Sequence, residues 1–314
     1  MLTTFRLRLP INRPVTAAVV ALLVAACSGA TASPPTRGSS APSNPPPTTA
    51  PTASPAATVG AVDHLTGATH VLLRLEQGGG FAPMELNASQ APIFTLYGNG
   101  VVIFKPTVET FPEPDAAGVV HIIPWRTASL DEGQIQELLA FAIGPGGLGT
   151  ARESYIQGGV ADMPNTIFTL KAGGLDKTVV VNALADGTGE GPDAAARAAF
   201  SKVFQRLSDF DAAGTISTDV YQPDAYRGVL VPRDPQPGVA PQAWPWPALK
   251  VIDFKENPNA EGAVAFPHRA LSKADVDALG VKDVVGGLQN IVLSGTDGKV
   301  YTLITRPLLP DESE

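Results

Sequence analysis

The sequence predicts an α+β fold, an antiparallel sheet built from β-hairpins with two or three packed helices, in one lobe or two. Three observations carry this. β-rich runs come in pairs around Gly, Asn or Asp turns; capped segments of helical period stand between the pairs; and proline-rich stretches interrupt the chain where neither helix nor central strand can pass.

HVLLRLE, from His70 to Glu76, reads as the first strand, with Val71, Leu73 and Leu75 on one face. FTLYGNGVVIF, Phe94 to Phe104, is a stronger signal: two β-rich runs flank Gly98-Asn99-Gly100, residues that accept the positive φ a tight hairpin requires. VVHIIP, Val119 to Pro124, reads as a further strand that Pro124 marks as an end or an edge. Ser129-Leu130-Asp131-Glu132 fits a capping box, Ser129 as cap and Glu132 three residues on. Ile135, Leu138, Leu139 and Ala142 then share a helix face, and Gly144-Pro145 stops it.

Thr166 to Leu184 reads as a second hairpin. Pro192 suits the first turn of a helix whose apolar positions are Ala196, Phe200, Val203, Phe204, Leu207 and Phe210. Beyond Ala213, strands are expected near Gly228 to Val231 and Leu249 to Phe254, either side of PRDPQPGVAPQAWPWP. A short helix from Lys273 to Leu279, capped by Ser272, precedes a hairpin from Gln289 to Arg306 around Asp297-Gly298. The order of capped helix, glycine-rich loop and hairpin occurs in 129–184 and again, more briefly, in 272–306, without aligned identities.

The N-terminal sixty residues speak of location. Arg6, Arg8 and Arg13 precede an apolar run from Val15 to Ala26, a signal-peptide layout. At twelve residues the run falls short of the ~20 that span a bilayer as a helix. Val24-Ala25-Ala26-Cys27 resembles a bacterial lipobox, in which the cysteine is acylated and becomes the first mature residue. Two acyl chains, at roughly 0.8 kcal/mol per buried methylene, hold a soluble domain on a membrane where one would release it. The alternative is a chance cysteine at an ordinary cleavage site. Cys27 is the chain's single cysteine, so a disulfide or thiolate site lacks its partners.

Ser28 to Gly60 holds eight prolines, six serines, six threonines, a single charge (Arg37) and no aromatic residue, a composition that cannot build a core. It reads as a disordered tether; a recognition tract or glycosylated stalk is the alternative. The expected organisation is therefore a lipoprotein signal peptide at 1–26, a tether at 27–60, an α+β domain at 61–212, and a smaller α+β lobe, or a continuation of the first, at 213–314.

Without residues 1–26 the chain has 19 basic and 30 acidic residues, a formal charge of −11. Such a chain is a poor partner for nucleic acid or anionic lipid headgroups, both of which require clustered Lys and Arg. Membrane association is left to the lipid on Cys27; an envelope protein or a glycan is the other partner class expected, and no cofactor is implied.

The hairpin Phe94-Thr95-Leu96-Tyr97-Gly98-Asn99-Gly100, the helix after Leu130-Asp131-Glu132, and Tyr155 with Asp162 and Thr166 resemble an uncharacterised family of bacterial exported or lipid-anchored domains, over roughly residues 70 to 211. This chain has Asn99 where that family has Asp. The resemblance implies an α+β fold and export, and no activity.

Chemical motifs are sparse. HExxH, GxSxG and Walker-type loops are absent from the sequence. Gly144, Gly146 and Gly149 form a GxGxxG, but after a helix and not before one, so the phosphate cradle is not expected. Asp186, Thr188 and Glu190, followed by Gly191, resemble the start of a calcium loop, with Asp193 as a further ligand; the twelfth position is Arg197, which cannot close such a site, and a polar loop is the competing reading. His64, His70, His121 and His268 lack ligand spacing. Trp244 and Trp246, between prolines, could present a platform for a sugar or peptide, with Tyr226 and Arg227 sharing it, or could seal an irregular loop onto the core.

The function read from this is an exported, lipid-anchored envelope protein whose globular part binds or scaffolds without catalysis. The alternatives are an envelope hydrolase acting on glycan or peptide through carboxylates, and a metal- or solute-binding lipoprotein. A cleft lined by converging ionisable groups with shifted pKa would weigh towards chemistry.

Overall fold

The computed structural model describes residues 60–81, 89–108, 110–159, 162–184, 191–236, 238–255 and 266–312. The expected signal peptide, Cys27 and nearly all of the tether lie outside them, as do Asp186, Thr188 and Glu190. Among the described residues, no helix is long and apolar enough to cross a membrane.

The fold is α+β, with two sheets of hairpins and few helices. In chain order come β1 (Val71–Gly78), β2 (Phe94–Tyr97), β3 (Val101–Phe104), β4 (Val120–His121), β5 (Arg126–Ser129), helix α1 (Glu132–Ile143), β6 (Ser154–Tyr155), β7 (Asn165–Leu170), β8 (Lys177–Asn182), α2 (Ala194–Ser208) and β9 (Asp219–Val220). There follow β10 (Ala225–Arg233), β11 (Gln242–Ala243), β12 (His268–Ser272), α3 (Lys273–Asp277), β13 (Leu288–Ser294) and β14 (Val300–Pro307). The first sheet runs β6-β8-β7-β1-β2-β3-β5-β9; the second runs β11-β13-β14-β10-β12, with β4 also paired to β13.

Alternation along the strands gives the first sheet two different faces. Leu73 and Leu75 of β1, Phe94 and Leu96 of β2, and Val102 and Phe104 of β3 join Phe168, Val179 and Val181 in a core. Ile135, Leu138, Leu139 and Ala142 of α1 and Phe200, Val203 and Leu207 of α2 close that core from the helical side. The opposite parity, Arg74, Thr95, Tyr97, Ile103 and Lys105, forms the other face. Tyr97, Ile103, Trp125 and Leu309 make a small separate cluster there.

The second sheet buries Leu230, Leu271, Ile291, Leu293 and Leu303 together with Val276 of α3. Its strands read as expected around Asp297-Gly298 and Gly228 to Val231. Leu249 to Phe254 differs: Val251–Asp253 is a 3-10 turn, because Asp253 accepts the Lys250 N–H at 2.8 Å and tightens the chain locally.

Two further elements differ from the sequence reading. The first helix starts at Glu132 with Asp131 as its cap: the Asp131 carboxylate accepts the Gln134 N–H at 2.8 Å, and the Gln134 amide oxygen accepts that of Asp131 at 2.9 Å. Ser129 cannot cap it, since it ends β5, paired with Val101. Of Val119 to Pro124, only Val120 and His121 are strand; the chain instead resumes pairing at Arg126, in β5, which periodicity did not reveal because RTAS carries a single apolar residue.

The two sheets are threaded through each other. β4 leaves the first sheet for β13, the chain returns as β5, and β9, beyond residue 213, pairs back with β5. The C-terminal segment after β14 then packs on the first sheet's polar face.

Candidate ligand-binding cleft

The C-terminal segment is held by charge. Arg74 donates from Nη2 to both carboxylate oxygens of Asp311, at 2.6 and 2.7 Å, and the Tyr97 hydroxyl donates to Asp311 Oδ1 at 2.6 Å. Arg306, 5 % exposed, makes a two-pronged pair with Glu312, Nη1 to Oε2 at 2.8 Å and Nη2 to Oε1 at 2.7 Å. Arg227 stands in register with Arg306 across β10 and β14, with its Nη1 4.0 Å from Glu312 Oε1. The tail is further fixed by the Tyr221 hydroxyl donating to the Leu308 carbonyl at 2.8 Å and by the Leu308 N–H donating to Ala225 at 2.9 Å. Planar guanidinium forks suit such half-buried carboxylates better than lysine would.

These pairings leave an uneven field. Burial pushes the Glu76 carboxyl above its usual range; Arg74 draws it back, and Glu312 and Asp311 push it up again. Burial favours the neutral form of Glu312 too, but the hydrogen bond and charge of Arg306 outweigh it and hold that carboxyl below the usual range. Burial and the neighbouring Arg306 push the Lys105 ammonium down to about 8, with Glu76 opposing. The Lys105 Nζ donates to the Ala91 carbonyl at 2.9 Å and sits 5.7 Å from the Trp125 ring centroid.

Beside this cluster a cleft of about 430 Å³ opens between the sheets. One wall is apolar, from Val108, Phe111, Ile122, Ile123 and Trp125; the other carries Lys105, Arg306, Gln289 and Thr305. Val108, Phe111 and Ile123 remain 38 %, 78 % and 36 % exposed, so large apolar side chains gather on one patch where water reaches them. A neighbouring cleft of about 540 Å³ shares Phe111, Ile122 and Ile123 and is lined also by His121, Glu113 and Asp283. His121 is held there by Asp115, Nε2 to Oδ2 at 3.1 Å, which raises the His121 pKa and lowers that of Asp115.

Glycine makes the cleft's floor. A Cβ on Gly286 would stand 1.9 Å from the Ile122 carbonyl oxygen. Gly287 has φ of +96° and accepts the Ile122 N–H at 3.0 Å. Only side chains without a Cβ let the Ile122 backbone lie this close to β13.

The residues singled out from sequence lie elsewhere. Trp246 is 4 % exposed, its indole N–H donating to Asp275 O at 2.8 Å; Trp244 is half-buried and donates to Leu249 O at 2.7 Å. With Phe254 they form an edge-to-face cluster inside the second core, so they are not an open platform. Tyr226 is buried in the same core at 1 % exposure, and Arg227, one residue on, turns to the opposite face towards Glu312. Strand alternation separates that pair. Asp193 pairs with Arg152 at the start of α2, and Arg197, 3 % exposed, donates to the carbonyls of Asn182 and Ala183 at 2.7 and 2.9 Å. Arg197 thus anchors α2 to the end of β8. The Gly144–Gly149 segment packs its backbone against α2, where a Cβ on Gly146 would stand 2.4 Å from Val203. Among the described residues no three His, Cys, Asp or Glu side chains gather as a metal ion would require.

Sequence reasoning missed Lys105, Arg306 and Phe111. Phe104-Lys105-Pro106 looks like an ordinary strand end, and only the crossing of the two sheets turns it into a site. No protein-family model matches this chain, and no curated protein or solved structure matches it either.

Proposed function

We propose that this is an exported, lipid-anchored binding module of the cell envelope, whose ligand enters the cleft between the two sheets. The observation that carries the reading is the cleft itself, in which exposed Val108, Phe111 and Ile123 face a polar wall across a volume suited to a small molecule. Among the described residues the charged side chains lining it are the cations Lys105 and Arg306, whereas glycan hydrolysis calls for a facing pair of carboxylates. The anchoring half of the reading rests on the arginines, apolar run and Cys27 of the N-terminus.

The full-length protein should bind the neutral fluorophore N-phenylnaphthylamine saturably, with enhanced emission. Replacing both Phe111 and Ile123 by Ser, at positions exposed enough to leave folding intact, should weaken that binding by roughly fivefold or more, since each loses apolar contact area. Unsaturable binding, or binding indifferent to the double substitution, removes the cleft as the site. In cells, Cys27→Ser should leave the leader uncut and move the chain out of the membrane-anchored, processed form; unchanged processing and retention would overturn the anchor.

A further inference from the structure

Resting on the cleft as the binding site, we infer that its ligand is an amphipathic monoanion: an apolar chain or ring carrying one carboxylate or equivalent anionic head, with the Lys105 ammonium as counter-ion and the Phe111–Ile123 wall against the apolar body.

The cations between the sheets are used unevenly. Arg74 is neutralised by Asp311, and Arg306 by Glu312. Lys105 differs. Its hydrogen bond among the described residues goes to a neutral carbonyl, that of Ala91, and its nearest aromatic surface is Trp125. An ammonium offers three donors, so donors remain for a guest. Arg306 also lines the cleft, but its two Nη atoms are already held by Glu312. The nearby Glu76 charge favours the Lys105 ammonium but is itself drawn to Arg74, so an anion at Nζ would add a direct partner.

Charge and size narrow the class. Glu76, Asp311 and Glu312 stand in the same cluster, and the chain without its first 26 residues carries a formal −11, so a head group with several charges would be repelled. A single anionic charge is what Lys105 can match. Among the described residues, Val108, Phe111, Pro112, Ile122 and Ile123 on the opposite wall carry no hydrogen-bonding side chain and Trp125 offers a single indole N–H; this favours hydrocarbon over sugar. A volume of about 430 Å³ is of the size that holds a small molecule. The depressed basicity of Lys105, from burial and the neighbouring Arg306 with Glu76 opposing, points the same way, because an anion bound there would restore it.

Displacement of N-phenylnaphthylamine from the full-length protein by decanoate and by decanol tests this. Decanoate should compete at least about tenfold better than decanol, the worth of one charge-assisted contact. Lys105→Met should remove that advantage by weakening decanoate at least about tenfold more than decanol; Lys105→Arg should keep most of it, which separates loss of charge from loss of fold. Equal competition by the two ligands, or a decanoate preference that survives Lys105→Met, overturns the anionic assignment while the cleft still stands. If the fluorophore itself fails to bind the unaltered protein, the cleft falls and this inference with it.

Discussion

Glu76 shows how a single side chain can be carried at a cost. Burial raises its pKa, with Arg74 only partly compensating, so its charged form is less favourable in the fold than in the unfolded chain. A carboxyl whose folded pKa lies above the unfolded value has no penalty below about 4, where both states are protonated. The penalty then grows as pH rises from the unfolded value through the folded one. Glu76→Gln should therefore stabilise the protein at pH 7 and do little near pH 4, as read from urea midpoints at the two pH values. A loss of stability at neutrality, with little change near pH 4, would mean that the Arg74 attraction dominates. Retention of such a residue makes sense if its charge offsets the crowding of Arg74, Lys105 and Arg306. None of this was visible in the sequence, where Glu76 is one of thirty acids and simply ends an alternating strand.

At the level of elements, the sequence was informative wherever a local rule decides the outcome. Gly98-Asn99-Gly100 turns β2 into β3 with the Gly100 N–H donating to Tyr97 at 3.0 Å, and Ser272 caps α3 through the Asp275 N–H, because both depend on neighbours within four residues. It was silent where pairing is distant. β4 and β5 interrupt a hairpin-rich stretch because Ile122 finds the bare backbone of Gly286 and Gly287 more than 160 residues later, a match that no window of periodicity contains. The tryptophans were legible as aromatic and ambiguous as to face, since prolines erase the period that would have assigned them. Gly286→Ala isolates the β4 contact. Its methyl would collide with the Ile122 carbonyl, so the strap from 105 to 125 must lift from β13. The expected cost is about 1–3 kcal/mol by thermal or chemical unfolding, with N-phenylnaphthylamine binding weakened in step. Alanine tolerated at this position with full binding would show that the cleft does not need the strap so close.

For the molecule as a whole, the C-terminal segment is the fastener between two cores that are otherwise separate. The first core gathers on the helical side of one sheet and the second around α3, and Leu308, Leu309, Asp311 and Glu312 join their remaining faces. Removing the residues after Pro307 strips Leu309 from Tyr97 and Trp125, takes the Leu308 carbonyl from Tyr221, and leaves Arg74 and Arg306 without their carboxylates. Two buried leucines contribute about 1.5–3 kcal/mol each, and breaking a buried ion pair by deleting one partner costs about 3–5 kcal/mol. That total rivals the entire stability of an ordinary domain, yet each sheet keeps a core of its own. The full chain should therefore unfold in one transition and the shortened chain in two, the second-sheet unit and the first-sheet unit melting apart, in calorimetry or in urea followed by Trp fluorescence and far-ultraviolet circular dichroism together. Ligand binding should disappear with the first of them, because the cleft is lined both by the β3–β5 segment, Lys105 to Trp125, and by Gln289, Thr305 and Arg306 of the second sheet. A truncated chain that still unfolds in one step with probes coincident would place the coupling in the β4 and β9 crossings instead, and the tail would be only a cover.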